Sequence, residues 1–230
     1  MTAQTPSTLA SVVTLASVTL KRVTRGKALW VGAAIALLPI LYGNAVHLTR
    51  HTATPGEIFV LLRPLLALLP AMFISASIGE DIEDRTSAYL WSRPIARWAI
   101  IAGKLVALVP VITVLIVGSW LSAVAGGTGA LPSLASSAAL IAACIATSLV
   151  AAAIAVLVPK HGMALTIGYL LLDNFFGALP LSLAQLSLTH QAHELAQLGD
   201  PAVITPAIAL AAIAAAWTAI GLARIRRLEV

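Results

Sequence analysis

Long apolar runs with almost no charge dominate this chain and leave it few ways to fold. Stretches at 28–48, 56–78, 99–124, 133–158, 163–183 and 202–223 each supply about the 20 residues that a helix needs to cross a bilayer's hydrocarbon. Lipid offers no water to unpaired backbone groups, so a spanning segment is a helix or a strand of a closed barrel. These runs are continuous and lack the in–out alternation of barrel strands. The fold class that follows is an all-α integral membrane protein with six transmembrane helices. Composition agrees, with 60% hydrophobic and 10% charged residues and a mean hydropathy of +0.97, far from a soluble domain.

A net charge of +5 and a pI near 9.9 raise the question of nucleic acid, and the positions of the charges exclude it. Twelve of the 14 basic residues are Lys21, Arg22, Arg25, Lys27, Arg85, Arg93, Arg97, Lys104, Lys160, Arg224, Arg226 and Arg227. All fall on one side of a six-span chain, in its connections or close to a span end. Arg50 falls on the other side, with Glu57, Glu194 and Asp200, and Arg63 is inside a span. The positive-inside rule then predicts that both termini are cytoplasmic. The single cysteine, Cys144, lies within an apolar run and has no partner for a disulfide within the chain.

The segment 1–27 reads as a cytoplasmic interfacial helix. Leu9, Val12, Val13, Ala16, Leu20 and Val23 recur at helical spacing, with Ser11, Ser17, Lys21 and Arg25 elsewhere on the wheel. The basic residues follow the apolar stretch, the reverse of a cleavable leader. The six-span domain occupies 28–224, and 225–230 is a cytoplasmic tail. On the outer side, 184–201 is amphipathic and has room for one or two short lateral helices. Pro39, Pro64, Pro70 and Pro110 interrupt spans, where proline kinks a helix, as a hinge or as a packing feature.

The usual enzyme signatures are missing. No phosphate-cradling G-x-x-x-x-G-K-[ST] occurs, no H-E-x-x-H, no G-x-S-x-G and no metal-spaced cysteine pair. His47, His51, His190 and His193 gather near the outer face at spacings that suit a metal. The same residues also read as interfacial histidines holding none. The chain is therefore read as non-catalytic, with no cofactor or metal of its own.

The informative exception to the apolar pattern is the inner connection 79–98. Glu80, Asp81, Glu83 and Asp84 put four of the nine acidic residues at its start, where a helix N-terminus favours anions. Arg85, Arg93 and Arg97 follow, with Ile82, Tyr89, Leu90 and Trp91 among them. A short helix offering aromatic and aliphatic knobs beside charges suits a socket on a soluble partner. The alternative is a surface helix tucked under the bundle, with Trp91 and Trp98 at the lipid interface.

The order Glu80-Asp81-Ile82-Glu83-Asp84-Arg85-Thr86, then Tyr89-Leu90, Ser92-Arg93-Pro94-Ile95, Arg97 and Gly103-Lys104 resembles the loop between the second and third spans of type-2 ABC exporter permeases. Lys21-Arg22-x-x-Arg25-Gly26-Lys27 resembles that family's elbow helix. The run Gly168 to Asp173, then Leu179-Pro180, Leu186-Ser187 and His190-x-x-His193, resembles its fifth span with external lateral helices. The resemblance implies a permease subunit in a bacterial cytoplasmic membrane, working as a dimer with a second permease copy. It implies two copies of a separate ATPase subunit, which bind the ATP and Mg. The 79–98 loop would be the coupling helix, with Glu80, Glu83, Asp84, Thr86, Tyr89, Leu90 and Arg93 docking on that partner. At position 173 the chain has Asp173-Asn174 where related permeases often carry glutamate.

Charged groups inside spans are functional candidates. Asp173 lies about 15 Å into its span and Arg63 about 9 Å from the outer end of its own. Arg63, Asp173 and Asn174 are read as lining the substrate path, with Arg63 and Asp173 as a pair. Otherwise Arg63 snorkels outward, and Asp173 is neutral and hydrogen-bonded locally. Two other functions stay open beside the exporter subunit. One is an ion-coupled secondary transporter, which calls for inverted repeats and more intramembrane charge than is present. The other is a membrane scaffold for a cytoplasmic partner.

Overall fold

A computed structural model of the chain describes residues 8–49, 53–83, 97–179, 182–196 and 204–227. Among them every regular element is helical. Helix α1 spans Thr8–Arg25, α2 Lys27–Leu48, and α3 Pro55–Pro70. A π-helical turn, Ala71–Ser75, joins α3 directly to α4, Ala76–Glu83. Then come α5 Arg97–Thr128, α6 Leu134–Leu157, α7 Gly162–Ala178, α8 Leu188–Ala196 and α9 Ile204–Arg227. Short 3-10 turns at Pro159–His161 and Ser182–Leu186 precede α7 and α8.

Five helices are long and apolar enough to cross a membrane: α2, the α3–α4 unit, α5, α6 and α9. They form a bundle with a clear centre. Burial reaches 67% of the most apolar window of the α3–α4 unit and 72% of that of α6, against 17% for α9. The outer helices leave large apolar side chains uncovered, among them Trp30, Leu48, Val114 and Ile208. Lipid is the solvent that suits such a surface.

The sixth expected span, 163–183, differs. Its helix, α7, stops at Ala178 and holds 17 residues, about 25 Å at 1.5 Å per residue. It packs against the bundle at both ends. Gly162 lies against Ala155 and Thr166 bonds Ser75 at one end, while Gly177 meets Ser187 and Thr189 at the other. The helix ends where the chain turns back into the lateral segment 182–196.

Small residues set the spacing of the helices, as they do where lipid removes the hydrophobic drive for association. Helices α2 and α5 run parallel in contact: Gly32 is near Leu115, Ser119 Oγ donates to the Ala36 carbonyl at 2.6 Å, and Gly43 rests on Ala123. A Cβ on Gly43 would lie 2.3 Å from the Ala123 carbonyl oxygen, so only glycine allows this approach. Helices α6 and α9 also run parallel, with Ala153 against Gly221. Toward Val156 and Ile225 these two helices meet Trp98 and Leu105 of α5 around an apolar cavity of about 180 Å³.

Two expectations about local structure change. The apolar stripe on α1 divides. Val12, Ala16 and Val23 are half-buried, while Leu9, Val13 and Leu20 are exposed and Ser11 is buried. The reason is α5: Gly103 leaves a notch into which α1 sits, with Leu15 Cβ and the Val12 carbonyl close to the position a Gly103 Cβ would take. Nor do the prolines break spans. Pro39, Pro64 and Pro110 lie inside continuous helices. Only Pro70 marks a change, at the boundary of the π turn.

Candidate functional site: the two charged ends of the bundle

Of the expected docking residues the structure describes Glu80 and Glu83, at the end of the bundle that also holds α1, the start of α5 and the Pro159–His161 turn. Glu80 lies on α4, and Glu83 is that helix's last residue. Asp84, Thr86, Tyr89, Leu90 and Arg93 lie outside the described residues. What the structure shows is the root of the loop, and that root is tied to two other elements. Arg22 of α1 donates to Glu80 Oε2 at 2.8 Å and stands 3.9 Å from Asp81. On the opposite side Asp81 pairs with Lys104 of α5. Lys104 is 6% exposed, and its ammonium also donates to the Ser77 carbonyl.

Gly103-Lys104 therefore has a structural meaning that the sequence pattern did not reveal. Gly103 makes room for α1, and Lys104 fastens α4 to α5. The two adjacent residues hold three elements at the base of the acidic loop. Gly79 adds a fourth contact, since a Cβ there would lie 2.9 Å from the Pro159 carbonyl oxygen.

Above this root, the π turn puts Ser75 into a buried polar knot. Ser75 Oγ bonds the Ala151 carbonyl at 3.0 Å and Thr166 Oγ at 2.8 Å, and Thr166 bonds the Gly162 carbonyl at 2.7 Å. The knot joins α3–α4, α6 and α7. A π turn is a helix with an inserted residue and occurs often at functional sites.

At the other end of the bundle, Asp173 and Arg63 are not a pair. Among the described residues no ion pair links them. The Asp173 carboxylate is spent on α8. Its Oδ1 accepts the Leu188 N–H at 2.9 Å, and its Oδ2 accepts the Thr189 N–H and the Thr189 hydroxyl, each at 2.9 Å. Ser187 Oγ caps the next free amide, His190 N, at 3.1 Å. The open N–H groups at the start of α8 are thus satisfied, and the helix dipole favours the carboxylate placed there. Asp173 is 8% exposed, so these bonds replace water that is absent. Asn174, beside it, is half-buried. Of the three expected path residues, Asp173 is a clasp between α7 and α8.

Arg63 is half-buried, with its guanidinium carbon 5.9 Å from the centre of the Phe59 ring. The same ring meets His193 of α8 at 5.1 Å and Trp120 of α5, edge-on, at 6.1 Å. Burial first, and the Arg63 charge second, lower the His193 pKa below the ordinary imidazole value. Trp120 carried no sequence signal, being a tryptophan in an apolar run, and His193 was marked only by its spacing from His190, which gave no hint of Phe59. Comparison of the chain with protein-family models, with curated proteins and with solved structures gives no match.

Proposed function

We propose that this chain is the membrane-spanning subunit of an ATP-binding-cassette exporter, with six spans, both termini cytoplasmic and the 79–98 loop as its coupling helix. Two copies would form the path, and two separate ATPase subunits would bind and hydrolyse ATP. The observation that carries the reading is the root of the acidic loop. Glu80 and Asp81 are bonded to Arg22 of α1 and Lys104 of α5, so a force applied to the loop reaches two helices besides its own. The π turn and Ser75–Thr166 knot lie in the same unit, between the loop and the rest of the second span. A loop that only joined two spans would need no such fastening.

In this reading, closure of the ATPase dimer moves the two loops together and biases the bundle between inward- and outward-open arrangements. The chain's own residues perform no chemistry on ATP. They dock (Glu80, Glu83, Asp84, Thr86, Tyr89, Leu90 and Arg93), transmit (Asp81 and Lys104) and line the path. The test is co-expression with an ATPase subunit encoded beside the gene, followed by purification in mild detergent and measurement of ATP turnover. Stable co-purification, with assembly or coupled turnover lost in Glu83→Lys, is expected. A chain that purifies alone and leaves the ATPase unaffected removes the exporter reading and favours a stand-alone transporter or scaffold.

A further inference from the structure

Among the described residues the acidic groups on the side of Arg63 are accounted for, and Arg63 itself is not. Glu57 closes a capping box with Thr54 at the start of α3, its Oε2 3.2 Å from the Thr54 N–H. Asp173 is saturated by α8. Glu194, next to His193, is exposed. No ion pair reaches Arg63 among the described residues. Its Nε is buried without an acceptor, and so is the Nε1–H of Trp120, a residue only 2% exposed. Both side chains pack on Phe59.

A cation and a second N–H donor left without acceptors in an apolar bundle are costly arrangements, and buried donors are normally satisfied. Arginine inside a span also favours planar, two-pronged contact with carboxylate or phosphate. Arg63 lies about 12 Å along α3 from Pro55 at 1.5 Å per residue, within reach of a headgroup entering from that end. Val60 and Leu61, just before it, are exposed apolar residues along which an acyl chain can lie.

We infer that the Phe59 cluster is a binding site for an anionic oxygen group, phosphate or carboxylate, anchored by Arg63 with Trp120 Nε1 as the second donor. The ligand is an anionic lipid headgroup or a soluble organic phosphate or carboxylate of the same chemistry. The inference stands apart from the exporter reading, because binding is read on the isolated full chain with no ATPase present.

The test is native mass spectrometry of the detergent-purified chain titrated with phosphatidylglycerol, phosphatidylcholine or glycerol phosphate. One tightly held phosphatidylglycerol is expected, with phosphatidylcholine much weaker. Arg63→Gln is expected to weaken it about tenfold or more, the scale of a lost charge-assisted contact. Arg63→Lys, which keeps the charge and loses the two-pronged fork, should weaken it by a smaller factor, and Arg22→Gln, at the opposite end, should leave it unchanged. Trp120→Phe, which keeps an aromatic ring, should weaken binding by a smaller factor and tests the site with the charge in place. Displacement by glycerol phosphate would identify the soluble anion as sufficient, and failure to displace would identify the lipid. Equal retention of phosphatidylglycerol by wild type and Arg63→Gln, or equal retention of both lipids by wild type, would overturn the site. No effect of Trp120→Phe would overturn the role given to its Nε1.

Discussion

The two ends of the bundle use charge in opposite ways. At the loop end, charges are paired between elements: Arg22 with Glu80, and Asp81 with Lys104. At the other end, Asp173 is absorbed by backbone amides and Arg63 is left with an aromatic face and no counter-ion. The first arrangement ties helices together around a connection. The second fixes a lateral helix and leaves a cation over. Charge thus fastens helices at one end of the bundle, while at the other it clasps a lateral helix and leaves Arg63 without a counter-ion among the described residues.

Replacing Asp173 breaks the comparison most strongly. Asp173→Leu strands two amides and a hydroxyl at the start of α8. Each buried donor left unsatisfied costs about 1–3 kcal/mol, so a loss of about 3 kcal/mol or more is expected. Asp173→Asn keeps one acceptor oxygen and should lose roughly half as much. Thermal unfolding in detergent measures the loss, and limited proteolysis at 182–196 shows whether α8 has come away. If Asp173→Leu is as stable as wild type, the clasp is not a structural element.

Next in size is the uncharged contact that sets the α2–α5 spacing. Gly43→Val drives a side chain into the Ala123 carbonyl, an overpacking expected to cost about 1–3 kcal/mol. A neutral result would mean that α2 moves freely against α5. The loop-end charges should matter less. Lys104→Met removes the pairing of Asp81 with α5 and frees the Ser77 carbonyl, for about 1–2 kcal/mol. Arg22→Gln removes an ion pair whose side chains are 67% and 54% exposed. It should cost under about 1 kcal/mol and cost less still in high salt. The comparison is sharpened if Lys104→Met alters ATPase coupling far more than stability, as a fastener for transmission requires. It fails if the two loop-end variants destabilise more than Asp173→Leu.

How much of this was legible in the sequence follows from how local each signal is. The long spans could be read because twenty apolar residues in a row carry their own message. The lateral helix between Leu188 and Ala196 was likewise legible as an amphipathic segment. The end of α7 at Ala178 was hidden by Leu179, which continues the apolar run, although Pro180 in the sequence disfavours helix at the residue before it. The π turn depends on Ser75 reaching Ala151, 76 residues away. The partner of Asp173 is 14 to 16 residues further on. Pairing it with Arg63 was the simplest choice from charge alone, and it failed because backbone amides carry no mark in a sequence. Gly103-Lys104 was recognised as a pattern, but its role depends on α1 and α4 meeting there.

If the 79–98 loop is the face on which an ATPase docks, a crosslinker carried within it must capture that subunit. The most direct measurement places a photo-crosslinking amino acid at Tyr89 in the full chain in its native membrane and identifies the adduct by mass spectrometry. A control at Leu186, an exposed residue at the opposite end, accompanies it. The account expects an ABC ATPase crosslinked from Tyr89 and not from Leu186. No adduct from Tyr89, or the same adduct from both positions, would contradict it.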